Sequence, residues 1–283
     1  MNSLCIKTNN DNILQYLRNE FSNFNMLNVY FSTNEFKLYK NIIIHYTGID
    51  KELFYEKLAT ILSYLTIDYF ENDIIKNILI SNYFYFDNSE ISKISDMCAE
   101  NICDSEFNNR HMALFDAFYD YITENHSIVL SGFINFRLSS YREIIEDLVN
   151  LSVNEFIIER EYLEFISLLK LYINSQPSTC NIIHLVCFDY DTILLDENMD
   201  IIEIDKKAFN AKYLSDVSFS NNDYILNTIL NLLPNKIFLH LTSASINLDF
   251  INTLKLIFED RLEICTDCGI CNLYKNLNVQ PKR

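Results

Sequence analysis

The spacing of apolar and polar positions changes repeatedly along the first ninety residues. "SLCIK", "LNVYFS" and "FKLYKNIIIHY" are short extended runs rich in branched and aromatic side chains, and "NILQYLRNEF" after the first of them has helical spacing. Beyond Gly48, Leu53, Leu58, Ile61, Leu62, Leu65 and Tyr69 fall near one face of a helix, with Asp50 placed to cap its start. "NYFYFD" reads as a further strand. The order strand, helix, strand, strand, helix, strand predicts an α+β sandwich of ferredoxin-like kind over residues 1–87.

Residues 88–176 read as a mainly helical middle region. It contains one β-rich break, "SIVLSGFINFRL", around Gly132, and then the longest helical pattern in the chain, over 139–174. Ser140 is placed to cap that helix, with Glu143 three residues on as its capping-box partner. In its second half Ile158, Tyr162, Phe165, Ile166, Leu169 and Ile173 recur at spacings of three and four, a stripe whose ordinary role is core packing. "NSQPST" then reads as a linker, because Pro177 stops the helix among small polar residues.

Residues 180–271 alternate again: strand "NIIHLVCF", a hairpin of "TILLD" and "DIIEID" around Glu197 and Asn198, helix 223–233, strand "KIFLHL", helix 247–258 and strand "RLEIC". Strands joined by single helices predict right-handed crossovers and an α/β unit with a partly parallel sheet. Residues 272–283 read as a tail. The whole is a mixed α+β and α/β chain: an N-terminal α+β unit, a long-helix middle and a C-terminal α/β unit.

Composition narrows the chemistry. With 283 residues and 49% hydrophobic side chains the chain can bury a substantial core, and its net charge of -17 repels phosphate backbones and anionic lipid surfaces, so no nucleic-acid partner is expected. Its first residues lack the basic stretch and apolar core of a signal peptide, and the longest charge-free run, between Lys170 and Asp189, is broken by polar residues, so no membrane span is expected. The expected compartment is the cytoplasm, where the eight cysteines stay reduced. The three glycines, Gly48, Gly132 and Gly269, are too dispersed for a dinucleotide or P-loop phosphate cradle, and no serine-hydrolase elbow, zincin helix or kinase signature occurs.

One stretch concentrates what chemistry remains. "CTDCGIC" places Cys265, Cys268 and Cys271 two residues apart, a spacing that lets thiolates fold round one ion, with Gly269 read as relieving the tight backbone path between them. It would begin at the carboxyl end of the last strand, where α/β folds place ligand sites. A structural zinc site wants a fourth ligand, for which Cys187, Cys5, His240 or another chain are the candidates, and an iron–sulfur run would need a fourth cysteine followed by proline. A reversible dithiol is the third reading, although such motifs usually open a helix. Asp189 with Asp191 in "FDYDT" and Glu203 with Asp205 in "IIEID" are acid pairs of the type that hold Mg²⁺, and equally of the type found in solvated turns. His184 and His240 lie in expected strands, where a hydrogen-bonded structural histidine is the commoner role.

Gly132, Phe133, Phe136, Arg137 and Leu138 form a GFxxFRL element, and Glu161, Tyr162, Phe165, Leu168 and Leu169 an EYxxFxxLL element. Together with the terminal CxxCxxC they resemble the YtxC-like family of sporulation proteins, over residues 110–271 and more weakly before them. The resemblance implies a setting in endospore-forming bacteria and implies no catalytic residue. Arg137 reads as an ion-pair partner for Glu143 or Glu146 on the following helix. Three functions follow in order: a non-enzymatic interaction or regulatory module with an unidentified protein partner, a zinc, iron–sulfur or thiol-redox protein using Cys265, Cys268 and Cys271, and an Mg²⁺-dependent enzyme using Asp189 and Asp191.

Overall fold

The computed structural model describes residues 2–36, 39–101, 104–188, 191–204, 220–242 and 247–278. They form two compact units, 1–158 and 159–283, each with its own apolar core.

The N-terminal unit begins with β1 (Asn2–Thr8), α1 (Asp11–Ser22), β2 (Val29–Glu35), β3 (Lys40–Tyr46) and α2 (Lys51–Asn82). Asn10 caps α1 through its side chain, and the Asp50 carboxylate accepts the Leu53 N–H at 3.1 Å to start α2, as its position suggested. "NYFYFD" is not a strand. Its Phe86 N–H closes a turn onto the Tyr83 carbonyl at 3.1 Å, and the Tyr83 and Phe86 rings stack at 6.1 Å, so the aromatic alternation is spent on local packing. Helices α3 (Asn88–Glu100) and α4 (Asp104–Glu124) follow, and α3 opens with a capping box between Asp87 and Glu90.

The strand that completes this sheet comes much later. It is β4 (Ser127–Val129), three residues long, and the rest of the expected β-rich break is a helix, α5 (Leu130–Phe136). Leu130, Phe133 and Ile134 are buried on α5, with the Phe133 ring stacked on Phe118 at 4.6 Å. Tertiary packing here overrides the strand propensity of the branched and aromatic run. The sheet order is β2-β3-β1-β4, with β1 antiparallel to β3 and parallel to β4. A single-helix crossover from β3 would make the last strand parallel to β3 and antiparallel to β1; three helices intervene instead, and the strand enters in the opposite direction. On the buried face of α2, Glu71 accepts hydrogen bonds from Arg110 at 2.5 Å and from the Tyr141 hydroxyl, a buried network that holds the Tyr141 proton firmly, through burial first and the Glu71 charge second.

The 37-residue α6 (Ser139–Ser175) closes the N-terminal unit and enters the next. Its first hydrogen bond runs from the Arg142 N–H to the carbonyl of buried Leu138, so Ser140 lies inside the first turn instead of capping it. Arg137 sits over the Tyr121 ring at 5.5 Å, and among the described residues it has no ion pair with Glu143 or Glu146. Of the expected stripe, Ile166 and Ile173 are buried, while Ile158 is 67% and Phe165 53% exposed. Phe165 lies about 100° round the helix from Ile166, outside a core-facing arc narrower than the spacing alone suggested.

The C-terminal unit carries β5 (Cys180–Phe188), β6 (Asp191–Leu195), α7 (Asn221–Leu232), β7 (Pro234–Leu241), α8 (Leu248–Phe258), β8 (Leu262–Cys265) and α9 (Gly269–Asn278). Its sheet order is β6-β5-β7-β8, with β5, β7 and β8 parallel and β6 antiparallel at the edge. The second arm of the expected hairpin is reduced to one bridge, Leu195 to Ile201. Ile183, Leu185 and Cys187 of β5 and Ile237 and Leu239 of β7 share a core with α7, α8 and Ile166 and Ile173 of α6. The intervening residues, His184, Val186, Phe238 and His240, therefore face the other side of the sheet.

Candidate metal centre

That second face carries the chemistry. His240 on β7 and Cys265 on β8 are register partners on adjacent parallel strands, so their side chains project together. The chain then turns through Thr266 and Asp267, held by Lys275 Nζ donating to the Thr266 carbonyl at 2.7 Å and by Asn272 Nδ2 donating to Asp267 at 3.2 Å. Asn272 N–H closes the first turn of α9 onto the Cys268 carbonyl at 2.9 Å, and Cys271 N–H donates to Cys268 Sγ at 3.4 Å. Cys268 thus caps α9 with a sulfur, and Cys271 lies one turn in. The cysteine motif opens a helix after all, contrary to the expectation from its place after the last strand. Tyr274 of α9, stacked on Phe188 at 6.2 Å, holds the helix against the sheet.

Four ligand atoms meet: Nδ1 of His240 and the sulfurs of Cys265, Cys268 and Cys271, all within 4.8 Å of one another. His240 Nδ1 lies 3.4 Å from Cys268 Sγ and 3.5 Å from Cys271 Sγ; Cys271 Sγ lies 3.6 Å from Cys268 Sγ and 3.9 Å from Cys265 Sγ. A tetrahedral zinc ion with bonds of about 2.3 Å to sulfur and about 2.0 Å to nitrogen requires edges of about 3.8 Å between sulfurs and about 3.5 Å between sulfur and nitrogen. The side chains stand close to those edges and can hold a metal.

The protonation states suit this. Burial alone would raise the Cys268 thiol, but the N–H groups of Cys271 and Ile270 and the neighbouring thiols outweigh it, and its pKa falls below the ordinary thiol value. Cys271 is pushed up to about 11, by burial first, and an ion would have to displace its proton. Burial lowers the pKa of His240, helped by the neighbouring His184, so the ring is neutral, as a ligand must be. Behind it, His184 Nδ1 lies 3.0 Å from His240 Nε2. A groove of about 680 Å³ runs along this face, lined among others by His184, Phe238, Glu263, Thr266 and Ile270.

The other candidates are placed elsewhere. Cys187 is next to Val186, the partner of His240 in the pairing of β5 with β7, and so points into the core, where burial pushes its thiol up to about 11. Cys5 belongs to β1 of the N-terminal unit. Asp189 and Asp205 lie outside the described residues; Asp191 begins β6, and Glu203 is exposed. Gly269 does not relieve a tight path: it begins α9 without a positive φ, and a Cβ there would meet nothing within 4 Å. His184 reads from the sequence as a structural histidine in a strand, with nothing to join it to His240. Its signal was two histidines in strands that pair, legible only once the register is known.

The YtxC-like family matches residues 56–263. The chain belongs to that family. The match starts earlier than the resemblance did, within α2, and stops two residues before Cys265, so the three cysteines lie beyond it. A curated relative, the uncharacterized protein YtxC of Bacillus subtilis (strain 168), is 20% identical over 205 residues, which span 69% of this chain and 71% of that protein. No solved structure matches.

Proposed function

We propose that the C-terminal unit of this YtxC-like protein holds a structural zinc ion through His240, Cys265, Cys268 and Cys271, and that the protein acts as a zinc-stabilised, non-enzymatic interaction or regulatory module. The observation that carries the reading is the near-tetrahedral spacing of four protein ligand atoms around one point. Four protein ligands leave no open coordination position, which distinguishes a structural zinc from a catalytic one. The same spacing argues against an iron–sulfur cluster, whose thiolates surround several metal atoms. By joining β7, β8 and α9, the ion would fasten the helix over this sheet face alongside the contact of Tyr274 with Phe188. A reducing cytoplasmic setting, an unidentified protein partner and a role in spore formation belong to this proposal, the last supported by the family resemblance.

A second reading is a dithiol. Cys268 has a lowered pKa at a helix start and lies 3.6 Å from Cys271 Sγ. Elemental analysis of anaerobically purified protein separates the two: the zinc site predicts about one zinc per chain, lost in Cys268→Ser. Metal-free wild-type protein whose thiols oxidise pairwise would replace the zinc reading with the redox one.

A further inference from the structure

His240 is 3% exposed, and its two nitrogens face different neighbours. Nδ1 points at the sulfurs of Cys268 and Cys271, while Nε2 lies 3.0 Å from His184 Nδ1. A neutral imidazole carries one N–H, and a nitrogen that ligates a metal must offer its lone pair. With a metal on Nδ1, the His240 proton sits on Nε2, where in a buried setting it needs an acceptor.

We propose that His184 is a positioning residue for the zinc site: its Nδ1 accepts a hydrogen bond from His240 Nε2–H and holds His240 in the tautomer and ring orientation that aim Nδ1 at the three sulfurs. This rests on the zinc reading above and extends it to the layer behind the ligands. His184 carries its own proton on Nε2. Its ring is held in turn, stacked on Phe238 with centroids 5.3 Å apart and planes 16° apart; Lys236 lies over Phe238 at 5.1 Å and is tied to Glu263 at 2.7 Å. The β5–β7 register sets the arrangement, because His184 is opposite Phe238, two residues before His240 on the same face. Such partners of a ligating histidine fix its tautomer and raise its basicity.

Three proteins test this, each titrated with zinc against a chromophoric chelator and with Co²⁺ as a spectroscopic probe. His184→Phe keeps a flat ring on Phe238 and removes the acceptor; His184→Asn places an amide oxygen near the position of Nδ1. The expected result is zinc binding about 10–100-fold weaker in His184→Phe, largely restored in His184→Asn, with the metal-free forms melting alike and the Co²⁺ bands of His184→Phe displaced from the wild-type pattern. Wild-type binding with His184→Phe within twofold of it, or His184→Asn no better than His184→Phe, overturns the role of His184 and leaves the zinc site standing. A wild-type protein that binds neither zinc nor Co²⁺ overturns both.

Discussion

Single residues divide sharply into those whose size is fixed and those that are free. A Cβ on Gly48 would fall within the ring and hydroxyl of Tyr46, which is buried, stacks on Phe54 at 5.0 Å and accepts the Asp50 N–H at 3.1 Å. Gly48→Ala is therefore expected to cost about 1–3 kcal/mol of overpacking in denaturant unfolding. Gly269→Ala should do the opposite, retaining metal and gaining up to about 1 kcal/mol through a less flexible unfolded chain. Loss of zinc in Gly269→Ala would show that the glycine is needed at the knuckle. At this scale the clustering of the three cysteines was legible, because their spacing is written locally. His240 stood only as one of several distant candidates, and His184 not at all as its partner, because both depend on which strands pair and in what register.

Elements were legible where one period holds for several turns or where a cap marks an end. α1, α2, α7 and α8 and all four strands of the second sheet lie close to where the pattern put them. The failures share a cause. "NYFYFD" and "SIVLSGFINFRL" are rich in aromatic and branched residues that suit a strand, yet each is short enough for packing against long helices to decide its conformation. Helix ends with side-chain caps should respond to mutation independently of the sheets. Asp87 accepts the N–H groups of Ser89 and Glu90 at 2.7 and 2.9 Å, and Glu90 returns a bond to Asp87 N–H at 2.9 Å. Asp87→Ala is expected to lower stability by about 0.5–2 kcal/mol, and Asp87→Asn to lose less; equal losses would mean that the carboxylate charge, and not the cap geometry, matters.

For the whole molecule, the two separate cores predict two thermal transitions. Because an ion that binds only the folded state stabilises it by mass action, a zinc chelator should lower one transition by on the order of 10 °C and leave the other in place, and His240→Ala should abolish that response. A single transition would contradict independent unfolding of the two units, and transitions indifferent to chelator would contradict a structural metal in the C-terminal unit. The mixed α+β character of the chain was readable from its alternating periods. What the alternation did not contain was the long detour between β3 and β4, since no local pattern announces that three helices will separate strands successive in the chain.

That detour has a consequence for the order of events during synthesis. β1 is made well before the partner for its outer edge, Ser127–Val129, which is separated from it by four helices and the β2–β3 hairpin. While those are being translated, one side of β1 offers unpaired backbone groups to any extended peptide nearby. Nascent chains stalled before Ser127 should therefore be sticky, and those carried past Val129 should not.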